Sequence, residues 1–218
     1  MNSGLDFDWD RDARTGLPEA IYCPGKLAAD LEEILESAQD RNRAILLTRL
    51  ERKQLESLQP TWRNLVEFDT ISQTGFGLTG PLPEVVSTPI ALVCAGTSDR
   101  PVFLEALRTL RFLGAQPVSF MDCGVAGLWR LQRHLPEIAA ARVIIAVAGM
   151  EGALFSVLAG LTRALLIAVP TSGGYGVNRD GDNALRSALG ACSPSVVAVN
   201  TDNGFGAACS AWRVVSGN

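Results

Sequence analysis

Five short apolar runs, at 90–95, 117–121, 142–148, 164–169 and 195–200, alternate with stretches of helical periodicity. This alternation limits the possible folds more than any other feature of the chain. Phe103, Leu107, Leu110 and Leu113 fall on one helical face, as do Leu128, Leu131 and Leu135, and later Phe205, Cys209, Trp212 and Val215. Strands that are apolar throughout have no polar face to give to water, so helices must cover both sides. The expected fold class is α/β, a doubly wound parallel sheet, most simply in flavodoxin-like order.

Ahead of this block, "PLPEVVSTP" (81–89) carries three prolines and marks a linker. It divides a small N-terminal α/β extension at 1–80 from a larger domain at 90–218. In the extension, Leu27, Leu31, Ile34, Leu35 and Ala38 recur at helical spacing. "RAILLT" (43–48) reads as a buried strand, 51–58 as a second helix and "NLVEF" (64–68) as another strand. So small a piece buries little on its own and is expected to pack on the larger domain.

The chain has 218 residues, 47% of them hydrophobic and 19% charged, which suits a globular protein. A formal charge of −4 without Lys/Arg clusters argues against a nucleic-acid partner. With Asn2-Ser3 followed by acidic residues, no signal peptide is expected, and no apolar stretch reaches membrane-spanning length. The five cysteines are odd in number and widely spaced, without a C-x-x-C pair. That is neither a disulfide framework nor a zinc site, and a cytoplasmic location is expected.

Each strand of the repeating block ends in a small, glycine-bearing loop: "AGTSD" (95–99), "DCGVAG" (122–127), "AGMEG" (148–152), "PTSGGYG" (170–176) and "NTDNGFG" (200–206). Ligands of open parallel sheets bind outside the carboxyl ends of the strands. Glycine there admits close backbone approach, and the following helix N-termini favour anions. A phosphate- or carboxylate-bearing ligand is therefore expected at this edge. Glu151 is the one charge in a long apolar stretch and is placed in the first turn of the next helix, facing the pocket. Its bland alternative is an acid meeting the helix dipole. Asp99 is expected to cap the helix opening at Arg100-Pro101. Thr97 and Ser98 are plausible oxyanion donors, and Asp202 and Asn203 stand in the same kind of loop. His134, the only histidine, falls near a helix end away from these loops, which removes Ser-His-Asp and Cys-His arrangements. Cys94 and Cys209 read as core fillers, Cys23 and Cys123 as loop residues. Cys192, in "GACSPS", reads by itself as an ordinary loop cysteine.

Taken together, "AGTSD", "DCGVAG", "VAGMEGAL", "VPTSGGYG" and "VNTDNGFGAA" resemble the LarB family of nickel-pincer cofactor biosynthesis, whose C-terminal half is similar to aminoimidazole ribonucleotide carboxylase. "LDFDWDRDARTGLPEAIYCPGK" (5–26) and "LLTR" (46–49) carry the likeness into the front piece. The resemblance implies a pyridinium-3,5-biscarboxylic acid mononucleotide synthase. Its substrate would be nicotinic acid adenine dinucleotide, carboxylated at ring carbon 5 with CO2 or bicarbonate and hydrolysed at the pyrophosphate to release AMP. It also implies a nucleophilic cysteine at Cys192 and a functional carboxylate at Glu151, with Mg2+ expected on the pyrophosphate. Substrate contacts are expected from Gly96, Thr97, Ser98, Asp99, Asp122, Gly124, Ala148, Gly149, Met150, Thr171, Ser172, Asp202 and Asn203.

These residue types suit that chemistry. A thiolate adding at carbon 4 turns the electron-poor ring into a dihydropyridine whose carbon 5 is enamine-like and can attack CO2. A base then removes the carbon-5 proton, and sulfur leaves. Glu151 could take the proton of Cys192 or that of the ring. Cys192, however, lies on a helix-to-strand connection, which runs along the edge opposite the ligand loops. A neighbouring subunit supplying it resolves the conflict, so a homo-oligomer with shared active sites is expected. The rivals are an aminoimidazole ribonucleotide carboxylase or mutase, disfavoured because "DCGVAG" has no histidine, and a non-catalytic nucleotide-binding protein.

Overall fold

The computed structural model describes residues 6–217; the reading of Asn2-Ser3 lies outside them. The chain forms two compact units, one running to Glu84 and including Phe112–Gly114, the other made of Val85–Arg111 and Ala115 onward.

The first unit runs through α1 (Arg11–Thr15), β1 (Ala20–Tyr22), α2 (Ala28–Asp40), β2 (Ile45–Thr48), α3 (Arg52–Ser57), α4 (Pro60–Arg63), β3 (Val66–Asp69) and β4 (Thr74–Gly77). Its sheet has the order β1-β2-β4-β3, with β1 parallel to β2 and the other pairs antiparallel. The helix expected from Leu27 onward and both expected strands are present. Leu31, Ile34, Leu35 and Ala38 bury one face of α2 against Ile45, Leu47, Leu50 and Leu58, so this small unit does have a core of its own. Each such leucine contributes about 2 kcal/mol when taken fully from water. Strand β4 escapes a reading by hydrophobicity because its inward positions are Gly75 and Gly77. A β-carbon there would lie 2.8 Å from the side chains of Val66 and Ile45, respectively. Neighbouring side chains fill the space that a strand residue ordinarily fills itself.

The second unit contains β5 (Val86–Cys94), α5 (Arg100–Phe112), β6 (Ala115–Phe120), α6 (Leu128–Ala139), β7 (Val143–Ala148), α7 (Ala153–Leu161), β8 (Leu165–Pro170), α8 (Asp182–Leu189), β9 (Val196–Ala198) and α9 (Gly204–Ser216). All five strands are parallel, in the order β6-β5-β7-β8-β9. This is the flavodoxin-like order, with the second strand outside the first. Alternate residues of β5, β7 and β8 serve opposite cores. Ala91, Val93, Ile144, Ala146 and Leu166 pack under Leu131 of α6, Leu154, Phe155 and Leu158 of α7 and Ala184 of α8. Ile90, Leu92, Ile145, Val147 and Ile167 pack under Phe103, Ala106 and Leu110 of α5 and Ala207, Ala208 and Ala211 of α9.

Three local expectations need correction. Residues 81–89 are not linker throughout, since β5 begins at Val86; its pairing with β6 slips between Ser87 and Ala91, around Pro89, which has no N–H to give. The buried face of α9 is Gly204, Ala207, Ala208 and Ala211, while Phe205 and Cys209 are only half-buried. Small residues let this helix lie close to the sheet. His134 sits mid-helix in α6, its ring 4.8 Å from that of Phe120.

Candidate active site

At the carboxyl edge of the sheet the loops after β5, β6, β7 and β8 enclose a cavity of about 420 Å³, a size suited to a small organic ligand. Parallel strands bring these loops together because every crossover returns the chain to the same edge. Ala95, Gly96, Ser98 and Asp99 come from the first loop, Asp122 and Gly124 from the second, and Ala148, Gly149, Met150 and Glu151 from the third. Apart from Ala95, each of these is a residue expected at the site from the sequence.

Asp99 holds three of the loops to one another. It closes a 3-10 turn at Thr97–Asp99 and is only 5% exposed. One carboxylate oxygen accepts the Gly96 N–H at 3.0 Å, the other accepts the Thr171 hydroxyl at 2.5 Å, and the Gly149 backbone also donates to it. Asp99 thus caps backward onto Gly96 and sideways onto the third and fourth loops, not forward as the N-cap of α5. Burial pushes its carboxyl above the usual carboxylate range, against the pull of those hydrogen bonds; Asp202 adds to the rise. A β-carbon on Gly149 would lie 2.7 Å from the Thr171 hydroxyl and 3.3 Å from Asp99 Oδ1. The glycine is needed by this clamp.

Glu151 precedes α7 instead of lying in its first turn. The chain turns with Met150 at φ +53 and Gly152 at φ +66, and the Gly152 N–H bonds the Gly149 carbonyl at 3.0 Å. These left-handed residues on either side lift Glu151 out of the apolar run and leave it exposed on the cavity wall. A carboxylate so placed is open to any ligand in the cavity.

Other expected residues lie outside the wall. Thr97 is in the first 3-10 turn but does not line the cavity, and Thr171 is buried under it, committed to Asp99. The N–H of Ser172 donates to Asp202, itself at φ +57. Asn203 caps α9 by accepting the Gly206 N–H at 2.8 Å. Cys192 is exposed on the connection between α8 and β9, before the strand starts, and is not part of the wall. Among the other thiols, Cys23 and Cys94 are buried and pushed up to about 12 by desolvation, and burial raises Cys123 as well. None of those three is disposed to ionise near neutrality.

Two wall residues with polar side chains escape a reading of the sequence. Arg130, in the first turn of α6, pairs with Asp122 at 2.5 Å. Tyr175, in the loop after β8, stands 75% exposed at the rim. A signal for Arg130 exists, because a cation in the first turn of a helix opposes the macrodipole and asks for a reason.

Residues 4–76 match the family model described as the LarB/PurE-like N-terminal domain, and residues 89–218 match that described as AIR carboxylase. The chain belongs to the LarB family. A similar protein is an uncharacterized protein of Methanocaldococcus jannaschii, 38% identical over 214 residues that span 93% of this chain and 80% of the relative. Membership in the LarB family brings a carboxylase-type enzyme with a LarB front piece and an aminoimidazole ribonucleotide carboxylase-like region. The LarB chain has, among the described residues, no helix long and apolar enough to cross a membrane, and no cluster of three His, Cys, Asp or Glu able to hold a metal unaided.

Proposed function

We propose that this chain carboxylates carbon 5 of the pyridinium ring of nicotinic acid adenine dinucleotide and hydrolyses the phosphoanhydride. The products would be pyridinium-3,5-biscarboxylic acid mononucleotide and AMP, the first step of nickel-pincer cofactor synthesis. Beyond family membership, the observation that carries this reading is Glu151. An exposed carboxylate on a cavity otherwise lined largely by glycine and small residues is a proton acceptor beside a ring-sized space.

Cys192 would supply the thiolate that adds to ring carbon 4, and its sulfur would leave once the carbon-5 proton has gone. Its exposure, and its place on a helix-to-strand connection and not in the wall, support a site completed by a second copy of the chain. The six residues of β7 alone separate the two edges of the sheet by roughly 20 Å. Mg2+ carried on the pyrophosphate would neutralise its charge during hydrolysis. Asp99 would keep the first, third and fourth loops in register around the ring, without touching it.

Incubation with nicotinic acid adenine dinucleotide, bicarbonate and Mg2+ tests the reading. Stoichiometric AMP and dicarboxylated mononucleotide are expected from the intact protein, and neither from Cys192→Ala. Binding without turnover, or turnover of aminoimidazole ribonucleotide in its place, would replace the proposal with one of its rivals.

A further inference from the structure

The pair formed by Arg130 and Asp122 is poorly explained as a structural bridge. Two local costs meet there. The Arg130 guanidinium occupies the first turn of α6, where the helix dipole repels a cation. Its Nε is buried and has no hydrogen-bond partner among the described residues, though its Nη1 lies 2.5 Å from Asp122 Oδ2. Asp122 adopts φ +57, a left-handed conformation that aspartate accepts more readily than most residues. The bridge gains little in return, because the side chains are 33% and 50% exposed and solvent weakens such pairs. Both residues line the cavity that holds Glu151.

Costs of this kind persist where a site needs a group held in one orientation. We propose that Arg130 recognises an oxyanion of the substrate and that Asp122 is the positioning residue that holds the guanidinium against the α6 dipole until that oxyanion arrives. An incoming carboxylate or phosphate brings acceptors for the guanidinium and negative charge for the helix N-terminus together, so both costs are relieved by ligand alone. Guanidinium suits planar or tetrahedral oxyanions because its donors are arranged as a fork. On the proposed function, on which this naming of the ligand rests, the oxyanion is either the ring carboxylate or the pyrophosphate of the dinucleotide.

Calorimetric titration of the full chain and of Arg130→Gln, Arg130→Lys and Asp122→Asn, each first checked for an unchanged circular dichroism spectrum, tests this. Probes are nicotinate, inorganic pyrophosphate, and the acid and amide forms of the dinucleotide. Arg130→Gln is expected to weaken the acid dinucleotide by roughly ten- to a hundredfold, with Arg130→Lys recovering part of the loss. If the ring carboxylate is the partner, nicotinate weakens with it and the preference for acid over amide disappears. If the pyrophosphate is the partner, inorganic pyrophosphate and both dinucleotides weaken equally. Asp122→Asn alone should lose less, and the double variant no more than Arg130→Gln, since one acts through the other. Unchanged affinity of Arg130→Gln for all four probes would overturn the assignment, whether or not the intact protein turns the dinucleotide over. An intact protein that binds the anions through Arg130 but releases no AMP would sink the proposed reaction and leave the assignment standing.

Discussion

At the scale of single residues, burial sorts the chemistry. Cys23, Cys94 and Cys123 are buried with thiols raised by desolvation, and Cys192 is exposed. Brief treatment of the native protein with iodoacetamide near pH 7.5 should therefore alkylate Cys192 well before those three, as read by peptide mass spectrometry. Equal labelling of Cys94 would contradict its burial. Asp99 carries a pH dependence of definite sign. Its folded carboxyl is raised above the ordinary 3.8, so the folded state holds the proton more tightly than the unfolded chain. Its contribution to stability is whole below about 3.8 and is lost as pH climbs through the raised folded value. Urea unfolding across this interval should show the native protein losing stability relative to Asp99→Asn as pH rises. Asp99→Ala leaves the Thr171 hydroxyl and two backbone N–H groups without their acceptor, at a cost of about 3 kcal/mol.

At the scale of elements, helix-to-sheet spacing depends on small residues. A β-carbon at Gly204 would lie 2.4 Å from the Val102 carbonyl oxygen, so Gly204→Ala must push α9 away from α5. A loss of about 2–3 kcal/mol is expected by thermal or chemical denaturation. Gly160, inside α7 with nothing within 4 Å of an added β-carbon, is the control. Gly160→Ala should gain about 0.5–1 kcal/mol from helix propensity. The turn before α7 is the third case. Gly152→Ala meets both φ +66 and the Phe155 ring at 2.9 Å, so it should lower stability and displace Glu151 together. The same elements explain what the sequence disclosed. The apolar runs of β5, β7 and β8 announced their strands because a doubly covered strand has no choice of residue on either face. Strand β4, with Gly75 and Gly77 inward, gave no such sign.

At the scale of the whole molecule, the separation of Cys192 from Glu151 becomes a statement about assembly. If two copies share each site, then mixing Cys192→Ala with Glu151→Ala under exchanging conditions restores activity, at most to about a quarter of sites for random pairing. No recovery, together with a monomer in light scattering, would contradict shared sites.

Periodicity by itself fixed the class of fold and the edge at which ligand loops gather, since both follow from local pattern and the handedness of strand–helix crossovers. The family likeness was legible too, because its signature residues are contiguous. Tertiary structure alone decided that Asp99 clasps three loops, that Thr171, Asp202 and Asn203 serve the scaffold, and that Arg130 faces the cavity. Those roles depend on where a hydrogen bond's second partner lies, 72 residues away for Asp99 and Thr171, and no local pattern encodes a partner so distant along the chain.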